Sequence, residues 1–390
     1  MKKVVLVLVI FILLSCDLTS CLGANTKPEW VKYLSIPDLE NNTSSSIDSN
    51  DERIIVCVKT QFEDLVDDYV FQTNAQGVLG KDVETGLINS SIIKAALVKD
   101  GGMVFLKDSQ KDTPVDYYVE KVNANNKVEW SKLFKGNGNL FIPKDIIEAD
   151  KGDFLVCGYM LSNDTYEVFL HRINKKGNLI WQKSLGNINE NIKAYKIKQI
   201  EDLGCILVGK MIDDDEEKLF VLKVNNQGSK QWQTIISNQK EEINDVCILD
   251  NSIYIATSIE NTDGTYDCKL TKVDENGSVL WFKKFKGQED DYCVNVKSDG
   301  NNVVLLVTSY SDDGDFEKSY GDGDAWVIVI NQDGEKVWQK CIGGSNEEIG
   351  QGVSVANDGY IIGGITHSTD GDMKDNKDET GYFLLKLSKR

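Results

Sequence analysis

The chain has 390 residues, with 62 acidic against 43 basic side chains, a formal charge of -19 and 41% hydrophobic residues. This is a globular balance rather than a disordered or fibrous one. The deficit of basic residues excludes nucleic acid, because phosphate binding needs a basic footprint. Cations, basic partners, or simple solubility of a monomer remain as readings of the acidity.

At the amino terminus Lys2 and Lys3 precede an unbroken apolar run from Val4 to Leu14. Its length suits the hydrophobic region of an export signal and is too short to span a bilayer comfortably. Residues 1–15 therefore read as a signal peptide. The following letters, Leu13-Leu14-Ser15-Cys16, resemble the bacterial lipobox, which implies a lipidated Cys16 as the first mature residue. Leu18-Thr19-Ser20-Cys21 offers a second match beyond charged Asp17, and cleavage without lipidation is a further alternative. Acyl chains would hold the protein to a membrane, each buried methylene contributing about 0.8 kcal/mol. The expectation is an exported protein, lipid-anchored to the outer membrane or surface of a bacterial cell envelope. Residues 16–28 would form the tether and 29–390 the folded unit.

Downstream, one phrase recurs: an apolar strand ending in Asn or Asp, a short turn with Gly, then Trp four residues after that Gly. The copies are VFLHRINKKGNLIWQKSLG from Val168, FVLKVNNQGSKQWQTI from Phe220, KLTKVDENGSVLWFKKFKG from Lys269 and WVIVINQDGEKVWQKCIGG from Trp326. Two degenerate copies start at Tyr118 and Val70, the latter with Lys81 where Trp belongs. The turn residues Gly77, Asn126, Gly177, Gly228, Gly277 and Gly334 lie about 51 residues apart, with one longer interval. A hairpin loop of this length needs a residue at positive φ, which Gly adopts freely and Asn tolerates. Each Trp is expected to anchor its unit as a large buried ring. A unit lacking it should be looser.

Two further strands precede each phrase, as in CVNVKSDGNNVVLLVTS from Cys293, so each unit holds four strands. Four strands and one Trp per unit of this length is the pattern of propeller blades. The last unit supplies three strands, Gly352 to Ala356, Tyr360 to Thr366 and Tyr382 to Leu387, and lacks the Trp strand. That strand is present at the other end, in EWVKYLS around Trp30, and SSSIDSNDERIIVCVKT from Ser44 supplies the first two strands of the next unit. The expected fold is all-β: a seven-bladed β-propeller of four-stranded blades, closed by the N-terminal strand joining the C-terminal blade. Closure removes the exposed edges of an open array. A capped linear solenoid is the competing architecture.

The remaining cysteines show no regular spacing, so no disulfide framework is indicated. Cys57, Cys157, Cys205, Cys247 and Cys293 sit in apolar runs and read as core-packing residues. Zinc is disfavoured by the lack of a C-x-x-C pair and by only two histidines. His171 reads as a surface strand residue and His367 as a polar loop residue.

The phrases DGYIIGGITHSTDGD from Asp358 and WVIVINQDGEKVWQKCIGGS from Trp326 resemble the repeats of secreted and surface-attached bacterial and archaeal β-propellers. The resemblance covers nearly the whole mature chain and implies a fold rather than an activity. A looser similarity is to the quinoprotein-type repeat, also seen in the propeller lipoprotein of the outer-membrane β-barrel assembly machine. That similarity implies a scaffold role, although its repeats are shorter and its ring has eight blades.

In such a ring the loops joining second to third strands and the loops between blades emerge on one face. Here they carry the acids: Asp213 to Glu217, Asp312, Asp313, Asp315, Asp322 and Asp324, then Asp370, Asp372, Asp375 and Asp378, with Glu289, Asp290, Asp291, Glu347 and Glu348 between blades. In SDDGDFEKSYGDGD and STDGDMKDNKDETG the spacing loosely echoes calcium loops, which makes Asp312, Asp313, Asp315, Asp322, Asp324, Asp370 and Asp372 candidate Ca²⁺ ligands. The alternative is a solvated acidic loop.

No Ser-x-Asp-x-Gly-x-x-Trp box of the sialidase type occurs, and nothing singles out a carboxylate pair for glycoside hydrolysis. The functional expectation is a monomeric, membrane-anchored, non-catalytic binding or scaffold module, presenting an acidic face to an envelope protein, a polysaccharide or a cation. The alternative is an envelope enzyme, a glycan hydrolase or quinoprotein-like protein, using the centre of the ring. An apolar plug in the central channel would exclude that alternative.

Overall fold

The computed structural model describes residues 27–34, 36, 39, 42–50, 52–62, 65–80, 90–109, 116–136, 138–162, 165–186, 190–213 and 216–389. Cys16 and Cys21 lie outside the described residues, as do Asp214, Asp215 and Lys81. Seven antiparallel sheets stand in a ring, and the chain is a seven-bladed β-propeller. Their innermost strands are Asn42–Ser49, Ser90–Leu97, Leu140–Glu148, Asn191–Gln199, Glu241–Leu249, Asp291–Ser298 and Glu348–Ala356, which number the blades one to seven. Each innermost strand touches that of the next blade, and the seventh touches the first.

Closure follows the expected three-plus-one scheme. Trp30–Leu34 pairs antiparallel with Gly381–Ser388, in the register Trp30 to Lys386, Tyr33 to Phe383 and Leu34 to Tyr382. The N-terminal segment is thus the outer strand of blade seven. Beside this ladder Lys386 Nζ meets Glu29 at 3.1 Å, and the Ser388 hydroxyl donates to Glu29 at 2.5 Å.

Among the described residues six sheets have four strands and blade one has three. Its fourth position is marked by a single bridge, Thr73 to Leu79, and residues 81–89 beyond it lie outside the described residues. This is the unit in which Lys81 replaces the repeated Trp.

The core is distributed rather than central. Seven apolar clusters lie one between each consecutive pair of blades. Alternation along a strand sends successive side chains to opposite faces. Accordingly Val303, Leu305 and Val307 pack toward blade five, while Val304 and Leu306 pack toward blade seven. Because both faces are covered, the middle strands read as unbroken apolar runs such as VVLLVTS.

The repeated turn has a fixed chemistry. In blade three the Asn174 side-chain carbonyl accepts from the backbone N–H of Lys176 and Asn178, at 2.9 and 3.0 Å. Asn74, Asn123, Asn225, Asp274 and Asn331 repeat that bond. These side chains mimic a backbone turn, which explains the Asn or Asp that ends each phrase.

The tryptophans are half-buried rather than fully enclosed, and their rings act between blades. Trp30 of blade seven lies against Gly77 of blade one, Trp130 of blade two against Gly177 of blade three, Trp181 against Gly228, Trp232 against Gly277 and Trp281 against Gly334. A Cβ on Gly177 or Gly228 would stand 2.8 Å from the ring. The one repeated turn that has Asn rather than Gly, at Asn126 with φ 62°, belongs to blade two, which follows the blade lacking the Trp. The turn glycine is therefore set by the neighbour's ring as well as by its own φ.

The cysteine reading needs one correction. Cys57, Cys157, Cys205 and Cys247 are buried free thiols, but Cys293 is bonded to Cys268, linking blade six to blade five. The partners are 25 residues apart on strands of different sheets, so spacing within the repeat could not pair them.

Gly228→Ala should lower stability by about 2 kcal/mol or more, from positive φ plus the overpacked Trp181 ring. Asn126→Gly should change it by less than about 1 kcal/mol. Denaturant melts of the two variants check the pair; equal losses would contradict the inter-blade role of the ring.

Candidate functional site

The inner strands of blades two to seven each carry a bulge near the middle, at Ile92/Lys94, Ala194/Lys196, Ile243/Asp245, Cys293/Asn295 and Gly350/Gly352, and in blade three opposite Cys157/Gly158. A bulge re-aims the residues beside it. Lys94, Asp145, Lys196, Asp245 and Asn295 stand at these points, and all but Asp145, which pairs with Lys94, line a central cavity of about 760 Å³. The channel is therefore an open cavity whose wall mixes these polar side chains with apolar residues such as Ile47, Ile93, Ile147 and Ile243. Lys198 and Lys297 also line it. Lys198 feels the charges of Asp245, Lys297, Lys94 and Asp145, from four other blades, which places all of them around one axis.

The acidic members of this cavity are committed to holding blades together. Asp48 of blade one accepts from the N–H of Leu97 in blade two at 2.9 Å, and Asp145 of blade three from Ile197 in blade four at 2.9 Å. Asp245 of blade five accepts from the side-chain amide of Asn295 at 2.7 Å, and Asn295 in turn accepts from the Val353 N–H of blade seven at 3.3 Å. Lys94 pairs with Asp145, and Lys297 pairs with Asp245 at 2.5 Å. Burial raises Asp48, whereas the lysines hold the buried Asp145 and Asp245 below the ordinary carboxylate range despite desolvation.

The acidic loops do emerge on one face, and the structure sorts their carboxylates. Two loops share the letters Ser-x-Asp-Gly-Asp, at 311–315 and 368–372. In each, the Ser hydroxyl accepts from an inter-blade N–H, Glu289 at 3.0 Å and Asn346 at 2.9 Å. The next carboxylate does the same, Asp313 from Gln288 at 2.9 Å and Asp370 from Ser345 at 2.7 Å. Gly314 and Gly371 have φ of 62° and 58°, and a Cβ on either would meet a carbonyl oxygen at 2.3 or 2.4 Å. Asp315 accepts from the Lys286 N–H at 3.1 Å, and Asp372 pairs with Lys340 at 3.0 Å.

Behind them, Asp291 and Glu348 begin the inner strands of blades six and seven. Asp291 takes bonds from the Ser309 hydroxyl and the Gly287 N–H, and Glu348 from the Thr366 hydroxyl and the Gly344 N–H. Burial pushes Asp291 up to about 6 and raises Glu348 as well. Asp324 is buried, accepts from the Tyr320 N–H at 2.6 Å, and is also raised. Asp312 and Asp322 are exposed, as are Asp213, Glu216, Glu289, Asp375 and Asp378. Among the described residues no three acidic, histidine or cysteine side chains form a group that could hold a metal ion.

Sequence reasoning missed the tyrosines of this face. Tyr266, Tyr292 and Tyr310 run across blades five and six, with ring centroids 5.2 and 6.4 Å apart. The Tyr292 hydroxyl donates to Asp290 at 2.9 Å and the Tyr310 hydroxyl to Glu347 at 2.5 Å. Burial and the paired Asp290 push the Tyr292 phenol up to about 12. Tyr310 and Tyr320 are among the exposed large side chains. A second group, Tyr159, Tyr166 and Tyr195, joins blades three and four under Lys144 and Lys193. No common position in the repeat marks them: Tyr266 begins a third strand, Tyr292 lies at the start of an inner strand and Tyr310 follows a second strand.

His171 is not a surface residue. It is 3% exposed and packs among Tyr117, Phe134, Phe141 and Phe169. Its Nδ1 shares a hydrogen bond with the Tyr117 hydroxyl at 2.6 Å. The Lys/Arg-rich positions of the repeat suggested a surface strand, but the second half of this strand is buried on both faces. His367 opens the blade-seven loop, where its backbone N–H donates to the Glu347 carbonyl at 2.9 Å.

No family model and no curated protein sequence matches the chain. Among solved structures, it is similar to an ulvan lyase of polysaccharide lyase family PL25, with a TM-score of 0.55, 10% identity, and coverage of 93% of this chain and 95% of that one. A puromycin hydrolase matches with a TM-score of 0.55 and 11% identity over 86% of this chain and 52% of that one, so this chain spans about half its length. The β-propeller domain of the Trilobed protease from Pyrococcus furiosus, described as an open velcro topology, matches with a TM-score of 0.50 and 9% identity over 83% of this chain and 90% of that one. At these identities the likeness establishes the propeller fold alone.

Burial among the rings pushes the His171 imidazole down from 6.5 to about 4. The unfolded chain takes up this proton first, so stability is full above about pH 6.5 and falls by about 3 kcal/mol as pH drops toward 4. Asp68 and Asp291, raised to about 6 by burial, act in the opposite direction over that range. The histidine's share is therefore read as a difference: His171→Gln, which keeps a partner for Tyr117, should lose less stability between pH 6.5 and 4 than the parent does. Parallel denaturation curves at the two pH values would refute the buried neutral imidazole.

Proposed function

We propose that the protein is a non-catalytic binding module, exported and tethered through a lipid on Cys16, which holds a hydroxyl-rich polymer of the cell envelope. The carrying observation is the Tyr266, Tyr292 and Tyr310 run, with phenols bonded to Asp290 and Glu347. Aromatic rings cover the apolar faces of sugars, and carboxylates accept from their hydroxyls. Exposed Asp312, Asp322 and Glu289 on the same face extend the acceptor surface.

Three further observations support this reading. Asp48, Asp145 and Asp245 already serve backbone or lysine donors, whereas glycoside hydrolysis needs one carboxyl as proton donor and another as base or nucleophile. The Cys268–Cys293 bond suits an oxidising compartment. Finally, Trp30 enters the ring beside Lys386 and the turn at Asp358, on the face opposite the acidic loops. A tether leaving there keeps the tyrosine face clear of the membrane.

The full-length likeness to a polysaccharide lyase makes the enzymatic alternative the one to separate. Co-sedimentation with insoluble envelope polysaccharide at low salt should retain the protein, with no soluble sugar released. Tyr292→Ala combined with Tyr310→Ala should weaken retention by about 2 kcal/mol, close to thirtyfold. Released oligosaccharide would replace the binding reading with the enzymatic one, and unchanged retention of the double variant would remove the tyrosine face from it.

A further inference from the structure

The lining of the central cavity has the opposite charge to the chain. Lys94, Lys99, Lys144, Lys196, Lys198 and Lys297 line it with only Asp48, Glu148 and Asp245, and Asp145 stands beside it paired to Lys94, in a protein of formal charge -19. Lys94 and Lys297 are matched by the ion pairs with Asp145 and Asp245. Among the described residues Lys144, Lys196 and Lys198 have no such carboxylate pair. They come from adjacent blades, three and four, and so stand on one side of the cavity.

Three ammonium groups with no ion pair of their own in a partly enclosed space repel one another, and Asp145 and Asp245, already paired to Lys94 and Lys297, offset that repulsion only in part. Desolvation lowers both Lys144 and Lys198; neighbouring lysines add to the effect, while at Lys198 the carboxylates of Asp245 and Asp145 work against it without cancelling it. Lys144 is also held over the rings of Tyr159 and Tyr195, at 5.5 and 5.6 Å, which fixes its approach to the cavity. A cavity of about 760 Å³ falls in the range that holds small molecules.

We infer that the central cavity is a binding site for a small polyanion, a molecule with two or more phosphate, sulfate or carboxylate groups, held by Lys144, Lys196 and Lys198. A monoanion leaves most of the positive charge unmatched, whereas a di- or trianion offsets it. The site is independent of the tyrosine face and of any polysaccharide bound there.

Titration calorimetry on the intact chain, with pyrophosphate, inorganic phosphate and citrate as probes and sucrose as the uncharged control, tests the inference. Saturable binding of one molecule of pyrophosphate or citrate is expected, weakened at least about tenfold when salt rises from about 50 to about 500 mM. Pyrophosphate alone would place the natural ligand among phosphates, and citrate alone among carboxylates; either supports the site. Lys198→Met and Lys196→Met should each weaken binding about tenfold or more, Lys198→Arg should retain it, and Lys176→Met on the outer turn should leave it unchanged. Melting curves verify that each variant is folded. No saturable binding by the parent protein, or equal affinity in a folded Lys196→Met/Lys198→Met double variant, overturns the inference whatever the outcome with envelope polysaccharide.

Discussion

A ring of wedge-shaped sheets exists as a ring only if its last sheet is finished by its first strand. Here that depends on one backbone ladder, Trp30–Leu34 against the Tyr382 to Lys386 stretch. The same segment supplies the ring that covers Gly77 of blade one, so a single five-residue strand completes blade seven and couples it to its neighbour. The flanking Glu29 to Lys386 and Ser388 bonds reinforce the seam. Every inter-blade apolar cluster presupposes this closure, because without it blades one and seven would each expose a covered face to water.

The repeat made the fold legible. A period near 51 residues, a turn residue at positive φ and a Trp four residues later are local features, and local features survive in sequence. The position of Trp30 one period before Lys81 carried the closure. The two departures within the repeat, Lys81 and Asn126, belong to adjacent blades and have one cause: without an indole from the preceding blade, nothing requires the turn to be bare of a Cβ.

The site was much less legible, for physical reasons. Whether Asp145 is free or locked to Ile197 depends on a bulge and on a partner 52 residues away, and neither shows as a pattern. His171 read as exposed because its strand carries the Lys/Arg-rich positions of the repeat, yet both faces of that strand are covered. The acidic letters at 311–315 and 368–372 did mark something real, since two loops with the same serine, carboxylate and glycine positions staple themselves to the inter-blade turns. Acidity alone did not distinguish carboxylates that cap backbone from those that face water.

The entry of the chain through its closing strand also has a mechanical meaning. Any load carried by the segment preceding Glu29 reaches the disc through the ribbon that seals it. Force would peel that ribbon from the Lys386 end, where Glu29 and Trp30 form the first rungs. The weakest path under tension is then the seam itself, and the disc would fail by springing open as one piece before any single blade unravels.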